Sequence, residues 1–241
     1  MGKRLKQQVR GSATGRYVVP DRITKYKLEY PKTDNLNGII EDIIDSPIHT
    51  SLIAKVKVGD QFYYLPAVEG IHIGQEINSS GVKIGNILAL RDIPDGYYIS
   101  FVELKRGDGG KLLRSAGAYG VLLSKDENWA YVKMPSKKVI KLPLDVRAMI
   151  GIVSGAGVKE KPIVKAGNAY YRFRKLHRIW PRPRGVKMSP YDHPHGGKQH
   201  HEGKSTTISR NAAPGQKVGH IAARSTGRKK NIQQGDKNVW I

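Results

Sequence analysis

The chain has 241 residues, no cysteine, and 42 Lys and Arg against 20 Asp and Glu, a formal net charge of +22. Without cysteine there is no disulfide framework and no thiolate metal site, and no apolar run approaches the ~20 residues that cross a bilayer. The charge excess points to a polyanionic partner, nucleic acid ahead of an acidic membrane surface.

The charge is unevenly placed. Residues 1–34 carry 9 basic and 3 acidic side chains, residues 35–158 carry 14 and 13, and residues 159–241 carry 19 and 4. A nearly neutral centre with two cationic ends is the pattern of a globular body holding arms that lie along phosphate. The first arm begins "MGKRLKQQVR", which lacks the apolar core of a signal peptide, so a cytosolic location is expected.

The centre reads as short strands. "GIIEDIID" (Gly38–Asp45) fits a strand or the start of a helix, and its neighbours favour strand. "SLIAKVKV" (Ser51–Val58) alternates, with Ala54, Val56 and Val58 on one face and Lys55 and Lys57 on the other. "QFYYLPAVE", "KIGNILAL", "GYYISFVEL", "AYGVLLS", "NWAYVKM", "KKVIKLP" and "RAMIGIVS" follow, each rich in β-branched or aromatic residues. Turn signals such as Val58-Gly59-Asp60, Ser80-Gly81 and Pro94-Asp95-Gly96 separate them. Strands at this spacing predict small all-β barrels. The length suits two five-stranded barrels, 35–92 and 93–158, with the seam at Arg91–Gly96. Within the second, "KRGDGGKLLRSAG" (Lys105–Gly117) fails as a nucleotide-binding P-loop. Lys105 stands where the first glycine is required, and Leu112 where Ser or Thr should meet magnesium. It reads instead as a glycine-rich turn whose amides, with Lys111 and Arg114, approach phosphate.

Past the barrels, in 159–241, one short helix is predicted near 166–178. Ala166, Ala169/Tyr170, Phe173, Leu176/His177 and Trp180 recur at helical spacing, while Arg172, Arg174, Lys175 and Arg178 fill much of the remainder. Such a polar face is ordinarily just solvated, but in so basic a segment it is read as facing phosphate. After Trp180, "PRPRG", "HPHGG" and "NAAPG" break any helix and leave no apolar face to bury. The tail is therefore expected to lack a core of its own and to be disordered or ordered by its partner.

That tail holds "MSPYDHPHGGKQHHEGK" (Met188–Lys204), with His193, His195, His200 and His201. A zinc site would need three or four converging ligands, but one pair flanks a proline, the other is adjacent, and glycines lie between them. A general-base role for His193 is poorly served by Asp192, since neighbours in an extended segment point opposite ways. The reading preferred is an RNA-contacting extension. Imidazoles can stack on bases or bond phosphate and ribose, and Arg182, Arg184, Lys187, Lys198 and Lys204 supply charge on both sides.

Five stretches taken together resemble one family. "GGKLLRSAG" (Gly109–Gly117), "DVRAMIGIVSG" (Asp145–Gly155), "KPIVKAGNAYYRFRK" (Lys161–Lys175), "WPRPRGVKMSPYDHPHGG" (Trp180–Gly197) and "KVGHIAARSTGR" (Lys217–Arg228) are similar, in the same order, to the family of the second protein of the large ribosomal subunit. "STTISRNAAPGQKVGHIAARSTGR" resembles its archaeal and eukaryotic branch, and His195, where eukaryotic members carry phenylalanine, points to the archaeal side. "KMSP" stands where Ala-Met-Asn-Pro is usual, so Lys187 and Ser189 are expected to meet RNA differently.

The resemblance implies an oligonucleotide-binding (OB) barrel followed by an SH3-like barrel, with long basic N- and C-terminal extensions. It implies direct binding to large-subunit ribosomal RNA, a role in assembly and subunit association, and a position close to the peptidyl transferase centre without supplying its catalysis. His193 falls on the family's histidine near that centre, as a holder of RNA geometry. The expected RNA-binding set is Lys111, Arg114, Arg172, Arg174, Lys175, Arg178, Arg182, Arg184, Lys187, His193, His195, Lys198, His200, Lys204, Arg210, Arg224 and Arg228. No catalytic residue, metal, cofactor, membrane contact or homo-oligomer is expected. The expected partners are large-subunit ribosomal RNA, neighbouring large-subunit proteins, and the small subunit across the subunit interface. Two rivals stand beside this reading: a metal-dependent RNA hydrolase using His193–His201, and a free-standing single-strand binder using Phe62, Tyr63, Tyr64, Tyr97 and Tyr98.

Overall fold

A computed structural model describes residues 4–12, 17–18, 20–21, 25–32, 36–176, 178–197, 201–203, 205–224 and 226. The chain divides into two compact units, one built on residues 21–168 and the other from residues 1–20 and 169–232.

The first unit is all-β, an OB barrel followed by an SH3-like barrel. β1 (Asn37–Ile44), β2 (Ile53–Val58), β3 (Gln61–Pro66) and β4 (Glu76–Asn78) form an antiparallel sheet in the order β3-β2-β1-β4. β5 (Ile87–Ala89), β6 (Tyr98–Ser100), β7 (Gly120–Lys125), β8 (Trp129–Lys133), β9 (Val139–Pro143) and β10 (Arg147–Ile150) form a second antiparallel sheet, ordered β5-β10-β6-β7-β8-β9. "GIIEDIID" is strand, and β2 alternates as its sequence predicts, with Ala54 and Val56 buried and Lys57 exposed. β4 carries only "EIN", too short to show a period; it exists because it pairs with β1 at Asn37–Ile39.

Each barrel has its own apolar cluster. Ile40, Ile53, Val56, Leu65 and Ile77 anchor the first, and Leu90, Ile99, Leu122, Val132 and Val146 the second. Burying side chains of this size is worth roughly 1.5–3 kcal/mol each, which is what holds such short strands together. The two clusters share a wall. β5 and β10 pair with each other, and successive side chains of a strand point to opposite faces. Ile87 and Met149 therefore pack into the first cluster, while Leu88, Ala148 and Ile150 pack into the second. β5, which precedes the Arg91–Gly96 turn in sequence, thus hydrogen-bonds into the six-stranded sheet. Asn86 closes the turn leading into it, accepting from the Asn78 amide at 3.1 Å and donating to the Ser80 and Gly81 carbonyls, each at 2.9 Å.

Part of the basic N-terminal stretch belongs to this unit. Leu28 and Tyr30 are buried in the first cluster, and the Glu29 amide donates to the Tyr64 carbonyl at 3.2 Å, adding a parallel bridge to the edge of β3.

In the second unit, α1 (Lys6–Gly11) is a short helix whose entry is capped by Gln8 accepting from the Leu5 amide at 3.0 Å; Gln8 also donates to the Pro214 carbonyl. After the single turn α2 (Gly157–Glu160), which belongs to the first unit, α3 (Ala166–Lys175) is the helix the spacing predicts, ending three residues short of 178. Its Phe173 ring stacks on Trp180, centroids 6.0 Å apart and planes within 12°. Two strand pieces of two residues each, β11 (Thr207–Ile208) and β12 (His220–Ile221), pair in parallel in the tail.

Candidate nucleic-acid interface

The glycine-rich loop on the first unit is held from beneath by a buried ion pair. Glu103 is fully buried, and its carboxylate accepts from Arg147 Nη2 at 2.8 Å, Arg147 Nε at 3.3 Å, the Arg147 amide at 3.0 Å and the Gly109 amide at 3.2 Å. Arg147 donates in turn to the Pro31 carbonyl at 2.7 Å and lies over the Tyr30 ring, 5.1 Å from its centroid. The Tyr30 hydroxyl donates to the Phe101 carbonyl at 2.6 Å, and burial, with the Glu103 charge second, pushes that phenol well above its ordinary value. Gly110, at φ +83°, lies against the Phe101 ring so closely that a Cβ would sit 2.8 Å from it. Only glycine fits there. Past this cradle Lys111 and Arg114 emerge exposed.

In the second unit, the stretch from α3 to Gly197 presents its cations outward. Arg172, Arg174, Lys175, Arg178, Arg182, Arg184 and Lys187 are all exposed. Arg182 Nε donates to the Ile179 carbonyl at 3.2 Å, which orients its guanidinium while leaving the residue in solvent. Residues 184–197 fold back on themselves. The Lys187 and Met188 amides donate to the Arg184 and Gly185 carbonyls, the Asp192 and His193 amides to Ser189, and the Gly197 amide to Met188. Ser189 Oγ donates to Asp192 at 3.3 Å, so this carboxylate faces its own turn.

His193 lies inside this loop. It is 8% exposed, and its Nδ1 accepts from the His195 amide at 3.0 Å. Its ring rests on Gly185, where a Cβ would come within 2.3 Å. Unlike the exposed cations, His193 is placed to shape the loop from within. His195 is half-buried, its ring 5.0 Å from that of His193 at 63°. Among the described residues the tail contributes to neither apolar cluster, as its sequence suggests, yet glycines let backbone pack on backbone and on one imidazole, giving local order without apolar burial.

Farther on, the 205–224 stretch closes through β11 and β12. The His220 amide donates to Thr206 and the Ala222 amide to Ile208, both at 2.8 Å, leaving Arg210 and Arg224 exposed. Lys198, His200, Lys204 and Arg228 lie outside the described residues.

The set expected from sequence omits Lys25, Lys27 and Lys32, which line a groove with Phe62, Tyr63 and Tyr64. The signal was present in "KYKLEYPK" (Lys25–Lys32), where Lys25 and Lys27 alternate with Tyr26 and Leu28 in a strand-like period.

Comparison with known proteins identifies the family. Residues 83–219 match the C-terminal domain of ribosomal proteins L2. Over 238 residues the chain is 42% identical to the large ribosomal subunit protein uL2 of Desulfurococcus amylolyticus and 44% identical to that of Hyperthermus butylicus, spanning 95% of this chain and the whole of each relative. It is 44% identical over 239 residues to the uL2 of Korarchaeum cryptofilum, spanning 95% of this chain and 97% of the relative.

Proposed function

The chain belongs to the L2 family of large-subunit ribosomal proteins, and from that premise we propose that it works as a structural constituent of the large subunit, in the ribosome, by binding folded ribosomal RNA. Neighbouring ribosomal proteins are its protein partners. The observation that carries this reading is electrostatic. All eleven described Lys and Arg residues of the expected binding set are exposed, in a chain whose two ends hold nearly the whole net charge.

The physical mechanism is phosphate neutralisation with release of condensed counterions, reinforced by backbone that approaches RNA closely at glycine-rich turns. We assign these contacts to the 1–34 and 159–241 extensions, to the 35–92 barrel and to the glycine-rich turn of the 93–158 barrel. Lys111, Arg114, Arg172, Arg174, Lys175, Arg178, Arg182, Arg184, Lys187, Arg210 and Arg224 supply charge, and Lys198, His200, Lys204 and Arg228 are assigned the same role from the sequence. His193 and His195 fix the loop between Arg184 and Gly197, so the protein holds RNA geometry near the peptidyl transferase centre and leaves the chemistry to RNA. Support for assembly and contact with the small subunit belong to the same proposal.

Sedimentation tests it. The tagged protein should travel with the large subunit in low-salt gradients, binding large-subunit RNA in preference to generic DNA. A protein found free of ribosomal particles, binding single-stranded DNA equally well, would be the free-standing binder. RNA cleavage that depends on added zinc or manganese and disappears in His193→Ala would identify the hydrolase.

A further inference from the structure

The groove on the first unit has a built form. One wall is the extended segment Lys25–Lys32, the second is the outer end of β3 from Gln61 to Tyr64, and the third is the Gly107–Gly109 turn. Each wall is pinned. The first is bridged to β3 through the Glu29 amide and the Tyr64 carbonyl. The turn is tied down by Glu103 accepting from the Gly109 amide, and by Asp108 accepting from the amides of Leu104 at 3.0 Å and Gly110 at 3.1 Å. Those bonds commit the Asp108 carboxylate to the turn itself.

Chemistry is segregated across the groove. Lys25, Lys27 and Lys32 are exposed and all lie on the first wall. Lys27 Nζ is paired there with Glu29 at 2.5 Å, so the wall carries three cations against one carboxylate. Phe62, on the β3 wall, is 44% exposed, and Lys55 Nζ sits 4.0 Å from its centroid, where Glu41 holds it by an ion pair. A cation already engages this ring, and nearly half of the residue remains open. Tyr64 is steadied by an edge contact with Tyr26, centroids 4.9 Å apart.

We infer that this groove takes an unpaired stretch of RNA, with phosphates along the lysine wall and one splayed base stacked on Phe62. Stacking on aromatic rings beside a cationic track is how single strands are held without base-pair geometry. A duplex fits poorly, because it offers phosphate on both flanks and, among the described residues, the groove's lining cations are on one wall. This inference deepens the ribosomal-RNA reading and rests on it.

The test uses the full chain and a hexauridylate carrying one 4-thiouridine. After irradiation, crosslinks should map to the tryptic peptide 58–83, which holds Tyr63 and Tyr64. Phe62→Leu should lower that yield about tenfold, the size expected for a lost base stack. The double variant Lys25→Ala/Lys27→Ala should lower it by a similar factor, whereas Lys141→Ala, beside Trp129 on the second barrel, should leave it unchanged. Unlabelled hexauridylate should compete, and an RNA duplex of equal strand length should not. Crosslinks confined to 159–241, yields that neither groove variant reduces, or equal competition by duplex would overturn the inference. Filter binding of the wild-type chain to large-subunit RNA separates the two claims: if that binding holds while the crosslink pattern fails, the groove alone is wrong.

Discussion

Two side chains illustrate how single residues here do structural work for a surface they do not form. Glu103 is an anion with no solvent exposure, tolerated because Arg147 and two backbone amides satisfy its oxygens. Glu103→Ala should cost about 3–5 kcal/mol, because it strands a largely buried guanidinium. Replacing both partners, as Glu103→Leu/Arg147→Met, should be far milder. Denaturant midpoints measure both, and a double variant as unstable as the single one would refute the pairing argument. Tyr30 adds a pH dependence. Its phenol is held well above its ordinary value, mainly by burial, so the folded state keeps a proton that the unfolded chain releases above about pH 10. The folded state binds more protons there, and stability must fall as pH rises past that point. Tyr30→Phe should flatten the alkaline slope in thermal melts.

His193 and Gly185 make the second residue-scale case. A Cβ at 185 would collide with the imidazole at 2.3 Å, so Gly185→Ala must displace the ring and open the 184–197 loop. Affinity for large-subunit RNA should fall severalfold although no charge changes. In a His193→Ala background, where the ring is gone, the added alanine should cost little more, a non-additivity that a double-mutant cycle reads directly. Additive losses would mean the ring and the glycine act separately.

At the scale of elements, legibility followed periodicity. β2 showed itself because Lys55 and Lys57 alternate with Ala54, Val56 and Val58, and α3 because Ala169 and Phe173 recur four apart. β5 and β10 gave apolar runs without revealing which barrel they served, since each lends alternate side chains to both clusters. A strand buried on both faces carries no alternation to read. The tail was harder still. Its folded loop rests on a glycine eight positions from the imidazole it accommodates, and on β11 pairing with β12 across more than ten residues. Neither has a local signature. Exposure of the cations was readable from residue type alone, but the burial of His193 was not. For α3 the prediction is electrostatic: Arg174→Glu should weaken RNA binding and lower the salt slope by about one for each phosphate that is no longer neutralised. An unchanged slope would place this face of the helix in solvent.

For the molecule as a whole, charge distribution sets the thermodynamics of binding. The 35–158 stretch is nearly balanced, at 14 basic and 13 acidic residues, while 159–241 holds 19 against 4. Affinity should therefore scale with phosphates met by the ends, each contributing roughly 0.7–0.9 to the slope of log affinity against log salt. With both ends engaged the slope should be about ten or more in magnitude, a loss of some six orders between 50 and 200 mM salt. Titrating salt against large-subunit RNA under filter binding checks this. A shallow slope with tight binding would mean that shape and hydrogen bonding dominate and that the basic ends are merely solvated. Reversing Arg182 and Arg184 to glutamate adjudicates further, because it takes two cations from the strongly basic end while leaving both apolar clusters of the barrels intact. A reduced slope with an unchanged melting temperature is the outcome that separates a binding surface from a structural one.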